Sequence, residues 1–108
     1  MAELDSGDPA SVTIKTWVED GTPVVSLSGE LDRTNAERVR SIIRDPLSRE
    51  ADRLVFDMSG LEFMDSSGIA LLASTVRKVK QVELRNPTPI VRRLVELTGL
   101  AEILRITP

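Results

Sequence analysis

Three short apolar runs each lead into a stretch built for a helix, and this alternation limits the chain to few architectures. Val24, Val25 and Leu27 precede a stripe of Ala36, Val39, Ile42 and Ile43. Leu54-Val55-Phe56 precedes Ile69, Leu72, Val76 and Val79, with Leu71 and Ala73 widening the stripe. Val82 and Leu84 precede a segment opened by Thr88-Pro89, a cap and a proline at the first helical position, and closed by Gly99 as its left-handed C′ residue with Leu100 behind it. Strands that alternate with helices pair in parallel through right-handed crossovers. Ahead of them Val12 to Val18 alternates as a half-buried strand, and Asp20-Gly21 is a hairpin turn signal leading to a strand over 23–28. The expected fold is therefore α/β: a small mixed sheet of about four or five strands, an antiparallel hairpin followed by parallel crossovers, and about three main helices.

Local signals refine the boundaries. Thr34 and Glu37 fit a capping box at the start of the first helix, with Arg38, Arg40 and Arg44 facing water. Asp45-Pro46 should end that helix, which resumes for a turn at Leu47. The third strand should run from Arg53 to Asp57, closed by the turn formers Asp57, Ser59 and Gly60. The second helix should run from about Ser66 to Val79, and Ile103 to Ile106 should form a brief turn or strand. Residues 1–10 read as a mobile tail and 11–108 as one domain.

What the chain lacks excludes most chemistry. Its 108 residues contain no histidine and no cysteine, which removes Ser-His and Cys-His nucleophiles, imidazole and thiolate metal ligation, and disulfides. No glycine-rich phosphate loop and no Ca²⁺-loop pattern occurs, so no cofactor and no metal is expected. No apolar run approaches the roughly 20 residues of a membrane span, and the acidic, polar start is unlike a signal peptide. These features suit a cytoplasmic protein. Net charge is −3; residues 77–108 hold seven basic positions, but they are interspersed and lack aromatic neighbours, so a nucleic-acid surface is not indicated. Arg77, Lys78 and Lys80 are explained by the cation preference of a helix C-terminus.

Phe63-Met64-Asp65-Ser66-Ser67-Gly68 carries the most function. It places a carboxylate and two hydroxyls where an apolar run becomes a helix, with Asp65 or Ser66 at the N-cap. First-turn N–H groups are unpaired there and the dipole favours negative charge, so the fold should accept a phosphate on Ser66. A partner surface shaped for a neutral hydroxyl beside Asp65 need not accept it. The plain alternative is that Asp65 and Ser66 are only caps.

The hexapeptide resembles the STAS domains of the anti-sigma-factor antagonist family. Ser28-Gly29-Glu30-Leu31-Asp32 with Ala36 resembles that family's turn into its first helix, and Asn86-Pro87-Thr88-Pro89, Val91-Arg92-Arg93-Leu94 and Leu97-Thr98-Gly99-Leu100 resemble its last helix and closing turn. These blocks span about residues 12 to 106 in the family's order. The resemblance implies a STAS fold with helices mostly on one face of the sheet. It implies Ser66 as phosphoacceptor, Asp65 as an acidic contact to a partner kinase, and Ser67 as a helix-start hydrogen-bonding group. Asp32 aligns with a turn acid near the phosphoacceptor, or is simply a solvated turn residue. Met64 and Phe63 are either partner-facing or buried. The implied partners are an anti-sigma factor that is itself a GHKL-type serine kinase, and a PP2C-type phosphatase. The same fold also suits an accessory subunit of a lipid-transport ATP-binding cassette complex or a stress-signalling scaffold. An enzyme using Ser66 or Ser67 as nucleophile would need a lysine or carboxylate base. The family's glycine-containing turn before the fourth strand is replaced here by Lys78-Val79-Lys80-Gln81.

Overall fold

The computed structural model describes residues 11–44 and 52–108. Its elements run β1 (Val12–Glu19), β2 (Thr22–Leu31), α1 (Ala36–Ile43), β3 (Arg53–Met64), α2 (Ser66–Val76), β4 (Gln81–Arg85), α3 (Pro89–Leu97), a 3-10 turn (Leu100–Glu102) and β5 (Arg105–Thr107). The five strands lie in one sheet in sequence order. β1 and β2 are antiparallel; β2–β3, β3–β4 and β4–β5 are parallel. The expected mixed sheet is thus present. α1 ends at Ile43 with Arg44 as its C-cap, just ahead of the expected stop; the tail over 1–10, Asp45-Pro46 and the further turn expected at Leu47 fall outside the described residues.

The hairpin turns through Asp20 (φ 51°) and Gly21 (φ 81°), the two left-handed positions that match the twist of paired strands. From there the sheet divides its side chains cleanly. Val25, Phe56, Leu84 and Ile106 stand in one cross-strand row. They meet Val39 and Ile43 of α1, Leu71 and Leu72 of α2, and Val91 and Val95 of α3 in a single core. One residue back, Val24 pairs with Val55 on the opposite face. That face carries Trp17 on β1 and a bridge in which Arg85 donates two 3.2 Å hydrogen bonds to the Glu19 carboxylate.

Three boundaries depart from the sequence-based expectation. β2 does not stop at Ser28 but continues through Gly29 and Glu30 to Leu31. β3 does not stop at Asp57 but runs twelve residues to Met64. The reason is two register shifts against β2: Ser26 pairs with Asp57 but Ser28 with Gly60, and Gly29 with Leu61 but Glu30 with Phe63. Each shift absorbs one extra residue of β3, so Asp57, Ser59 and Gly60 form an irregularity within a strand rather than a turn after it. The Asp57 carboxylate accepts from the Ser59 N–H (3.1 Å) and hydroxyl (2.9 Å) there. Finally α2 ends at Val76, and the N–H groups of Lys78 and Val79 both turn back to the Thr75 carbonyl (3.0 and 2.9 Å), making a glycine-free turn into β4.

Candidate functional site

β2 and β3 lie side by side in parallel, so their carboxyl ends open on the same edge of the sheet. Leu31 pairs with Met64 at that edge, and the next residues along each strand are Asp32 and Asp65. The Asp65 N–H donates to the Leu31 carbonyl (3.1 Å), tying the two exits together. Chain then enters α1 on one side and α2 on the other. Crevices outside the carboxyl ends of parallel strands are the usual place for a site in such folds. Here Asp32, Arg33, Thr34, Asp65, Ser66 and Ser67 line a hollow of about 260 Å³.

Asp65 is the N-cap of α2. Its carboxylate accepts from the Ser67 N–H at 2.8 Å, while its carbonyl accepts from Gly68 and Ile69 at 3.0 and 3.3 Å. Ser66 is therefore the first helical residue, exposed, and its hydroxyl has no hydrogen-bond partner among the described residues. Ser67 is half-buried, and its backbone rather than its hydroxyl completes the cap. Gly68 explains how Ser66 is held close to the strand ends. A Cβ there would lie 2.9 Å from Met64 Cβ and 3.1 Å from Leu31 Cδ2, so only glycine lets the first turn of α2 settle on both strand termini.

Asp32 is fixed by its own loop. Its carboxylate accepts from the Thr34 N–H (2.9 Å) and hydroxyl (2.6 Å). The Thr34 hydroxyl bond, foremost, with the backbone bonds beside it, holds the Asp32 carboxyl below the usual carboxylate range. The capping box expected at Thr34 and Glu37 is consequently absent. Thr34 is spent on Asp32, α1 starts after Asn35 without a side-chain cap, and Glu37 instead pairs with Arg40 and Arg44. Asn35, 4% exposed, is the clamp: its Oδ1 accepts from the Asp32 N–H and its Nδ2 donates to the Glu30 carbonyl, both at 2.9 Å.

Of the residues singled out from sequence, Asp32, Asp65, Ser66 and Ser67 come together in the hollow. Met64 does not. At 1% exposed it lies in the core beneath Gly68, so its reading as a partner-facing contact is corrected; Phe63, at 45% exposed, faces outward instead. Strand alternation at the end of β3 decides which of the two points in. Asn35 and Arg33 were missed. The signal available was an Asx residue three positions after Asp32, at a strand-to-helix turn. Lys78 and Lys80 lie beyond the far end of α2 and bring no base to Ser66. Among the described residues no group of carboxylates is arranged to hold a metal ion. No helix among them is long and apolar enough to cross a membrane.

Comparison with known proteins agrees with this architecture. The chain is 31% identical to the anti-sigma-F factor antagonist RsfB of Mycobacterium tuberculosis (strain ATCC 25618 / H37Rv), over 91% of this chain and 83% of that protein. It superposes on the crystal structure of an anti-sigma factor antagonist from Mycobacterium paratuberculosis with a TM-score of 0.85 and 33% identity, covering 94% and 89% of the two chains. Bacillus SpoIIAA in its phosphorylated form superposes with a TM-score of 0.68 and 26% identity, covering 91% of this chain and 92% of that one. The STAS domain model matches residues 13–108, and the chain belongs to that family.

Proposed function

We propose that the protein is an anti-sigma factor antagonist whose binding is switched off by phosphorylation of Ser66. The observation that carries this is the placement of Ser66: an exposed hydroxyl without a partner among the described residues, at the first position of α2, between two carboxylates that are each held in place. Similarity to proteins named as antagonists of anti-sigma factors, one of them solved with its phosphate, supports the same reading. In the unmodified state the hollow and its rim receive an anti-sigma factor, itself a serine kinase of the GHKL type, and the sigma factor is released. That kinase then transfers phosphate to Ser66, adding about −1.5 to −2 charges at neutral pH. The positive end of the α2 dipole lessens the cost to the fold. The interface gains no such relief: Asp32 and Asp65 already line the hollow, so the new charge must be desolvated among its own kind. A coupling of about 3 kcal/mol weakens binding roughly 150-fold, enough to separate the states. A PP2C-type phosphatase resets the protein, which acts as substrate and ligand rather than catalyst, in the cytoplasm.

The test pairs the purified chain with each GHKL kinase of its genome and ATP, mapping phosphate by mass spectrometry and affinity by calorimetry. Phosphate on Ser66 alone is expected. Ser66→Ala should bind constitutively, and Ser66→Asp should lose binding while keeping the parent's unfolding midpoint. Tight binding by a well-folded Ser66→Asp variant would sink the electrostatic switch. Co-purification with a transporter ATPase in place of a kinase would point to an accessory subunit.

A further inference from the structure

The same two helices that open the hollow at their N-termini flank a second space at the other end. Between the last turns of α1 and α2 lies a cavity of about 370 Å³, on the order of a dozen water volumes and within the range of small-molecule sites. Ile43, Leu71 and Val79 supply an aliphatic wall, and Arg40, Arg44 and Lys78 stand around it. Nothing in the proposed switch uses this cavity.

Its charge can be counted. Glu37 takes hydrogen bonds from both Arg40 (3.1 Å) and Arg44 (3.2 Å), which neutralises one of the three cations. Each helix C-terminus contributes about half a negative charge, which offsets roughly one more. Among the described residues about one positive charge remains, and Lys78 has no carboxylate within ion-pair distance there. The cations therefore exceed what the helix ends require. The lining contains no aromatic ring to stack a base and no glycine-rich loop, so a nucleotide is a poor match. An aliphatic chain is a good one. We propose that this cavity binds a single-chain amphiphile with one anionic head group, the chain against Ile43, Leu71 and Val79 and the head at Lys78 and Arg44.

Decanoate, kept below its micellar concentration, is the probe, titrated into the isotopically labelled protein and followed by amide chemical shifts. Saturable shifts centred on Ser74, Thr75, Lys78 and Val79 are expected. Decyltrimethylammonium, with the same chain and the opposite charge, should bind at least about tenfold more weakly, and acetate should not saturate the site. Lys78→Glu, at an exposed position, should weaken decanoate by at least about tenfold and strengthen the cationic chain. Ser74→Phe, which fills the cavity from its wall while leaving Ile43, Leu71 and Val79 in the sequence, should abolish binding in a protein with unchanged far-ultraviolet dichroism. Equal binding of the two chains, unaltered binding by Ser74→Phe, or binding to anionic phospholipid vesicles without binding of monomeric decanoate would each overturn the proposal. No kinase is needed, so the outcome is separable from that of the Ser66 switch.

Discussion

Two residues at the hollow carry opposite lessons about what a side chain contributes. Asp65 both caps α2 and supplies a charge beside Ser66, and substitution separates these roles. Asn caps as well as Asp, so Asp65→Asn should leave unfolding within about 0.5 kcal/mol of the parent, whereas Asp65→Ala should cost about 1 kcal/mol. If the charge matters to the switch, the Asn variant should also soften the loss of kinase binding on Ser66 phosphorylation. Calorimetry on the two phospho-forms reads this directly. Asn35 has no charge, yet both ends of its amide are committed to backbone in a buried place. Asn35→Ala should destabilise by about 1–3 kcal/mol in urea unfolding, because it strands the Glu30 carbonyl and the Asp32 N–H. Asp65 and Ser66 were legible in the sequence because a cap is a local signal. Asn35 was not, because its partners lie three and five residues back and become neighbours only once β2 turns into α1.

At the level of elements, legibility followed regularity. The hairpin turn, the parallel order and the three helices are periodic patterns with clear start or stop residues, and they stand where the pattern put them, save that α2 stops at Val76 and α1 lacks its expected capping box. β3 broke the rule. Its inward residues Phe56, Met58, Leu61 and Met64 are spaced by two, three and three, because two extra residues bulge out against β2. A period-two search ends at Asp57, and Gly60 then looks like a turn. In the structure Gly60 is small for a different reason: a Cβ would meet the Ser28 hydroxyl at 2.6 Å. Glycines at two other element ends give a graded test. Gly99 closes α3 at φ 82° with open space around it, so Gly99→Ala should cost only the left-handed backbone, about 1 kcal/mol. Gly29, at φ 96°, has the Ser11 carbonyl oxygen 2.5 Å from any added Cβ, so Gly29→Ala should lower the melting temperature further. Equal melting temperatures for the two variants would show that the Ser11 contact yields freely.

Across the whole molecule, acid should act at places far from one another. Hydrogen bonds from Arg85 and then Trp17 lower the Glu19 carboxyl, those from Arg44 and then Arg40 lower Glu37, and the Thr34 hydroxyl lowers Asp32. A carboxyl lowered in the folded state adds stability that is present above its ordinary value and is lost as pH falls through the folded one. Unfolding midpoints should thus be flat near neutrality and decline as pH drops below the ordinary carboxylate range, and Glu19→Gln should flatten part of that decline. These groups are exposed, so added salt should shrink the effect. A larger dependence on the molecule's geometry comes from the two surplus residues of β3. The two register shifts absorb them, so Leu31 and Met64 finish level and the two acids emerge as a pair. Deleting Ser59 would leave Asp57, Met58, Gly60 and Leu61 in strict alternation, so Leu31 should still pair with Met64 and Phe63 should still face outward. What this part of the chain must keep is thus the face each side chain takes rather than its length. Ser59 can be lost without moving Ser66 out of step, whereas Met58 in the core and Gly60 against Ser28 cannot be freely replaced.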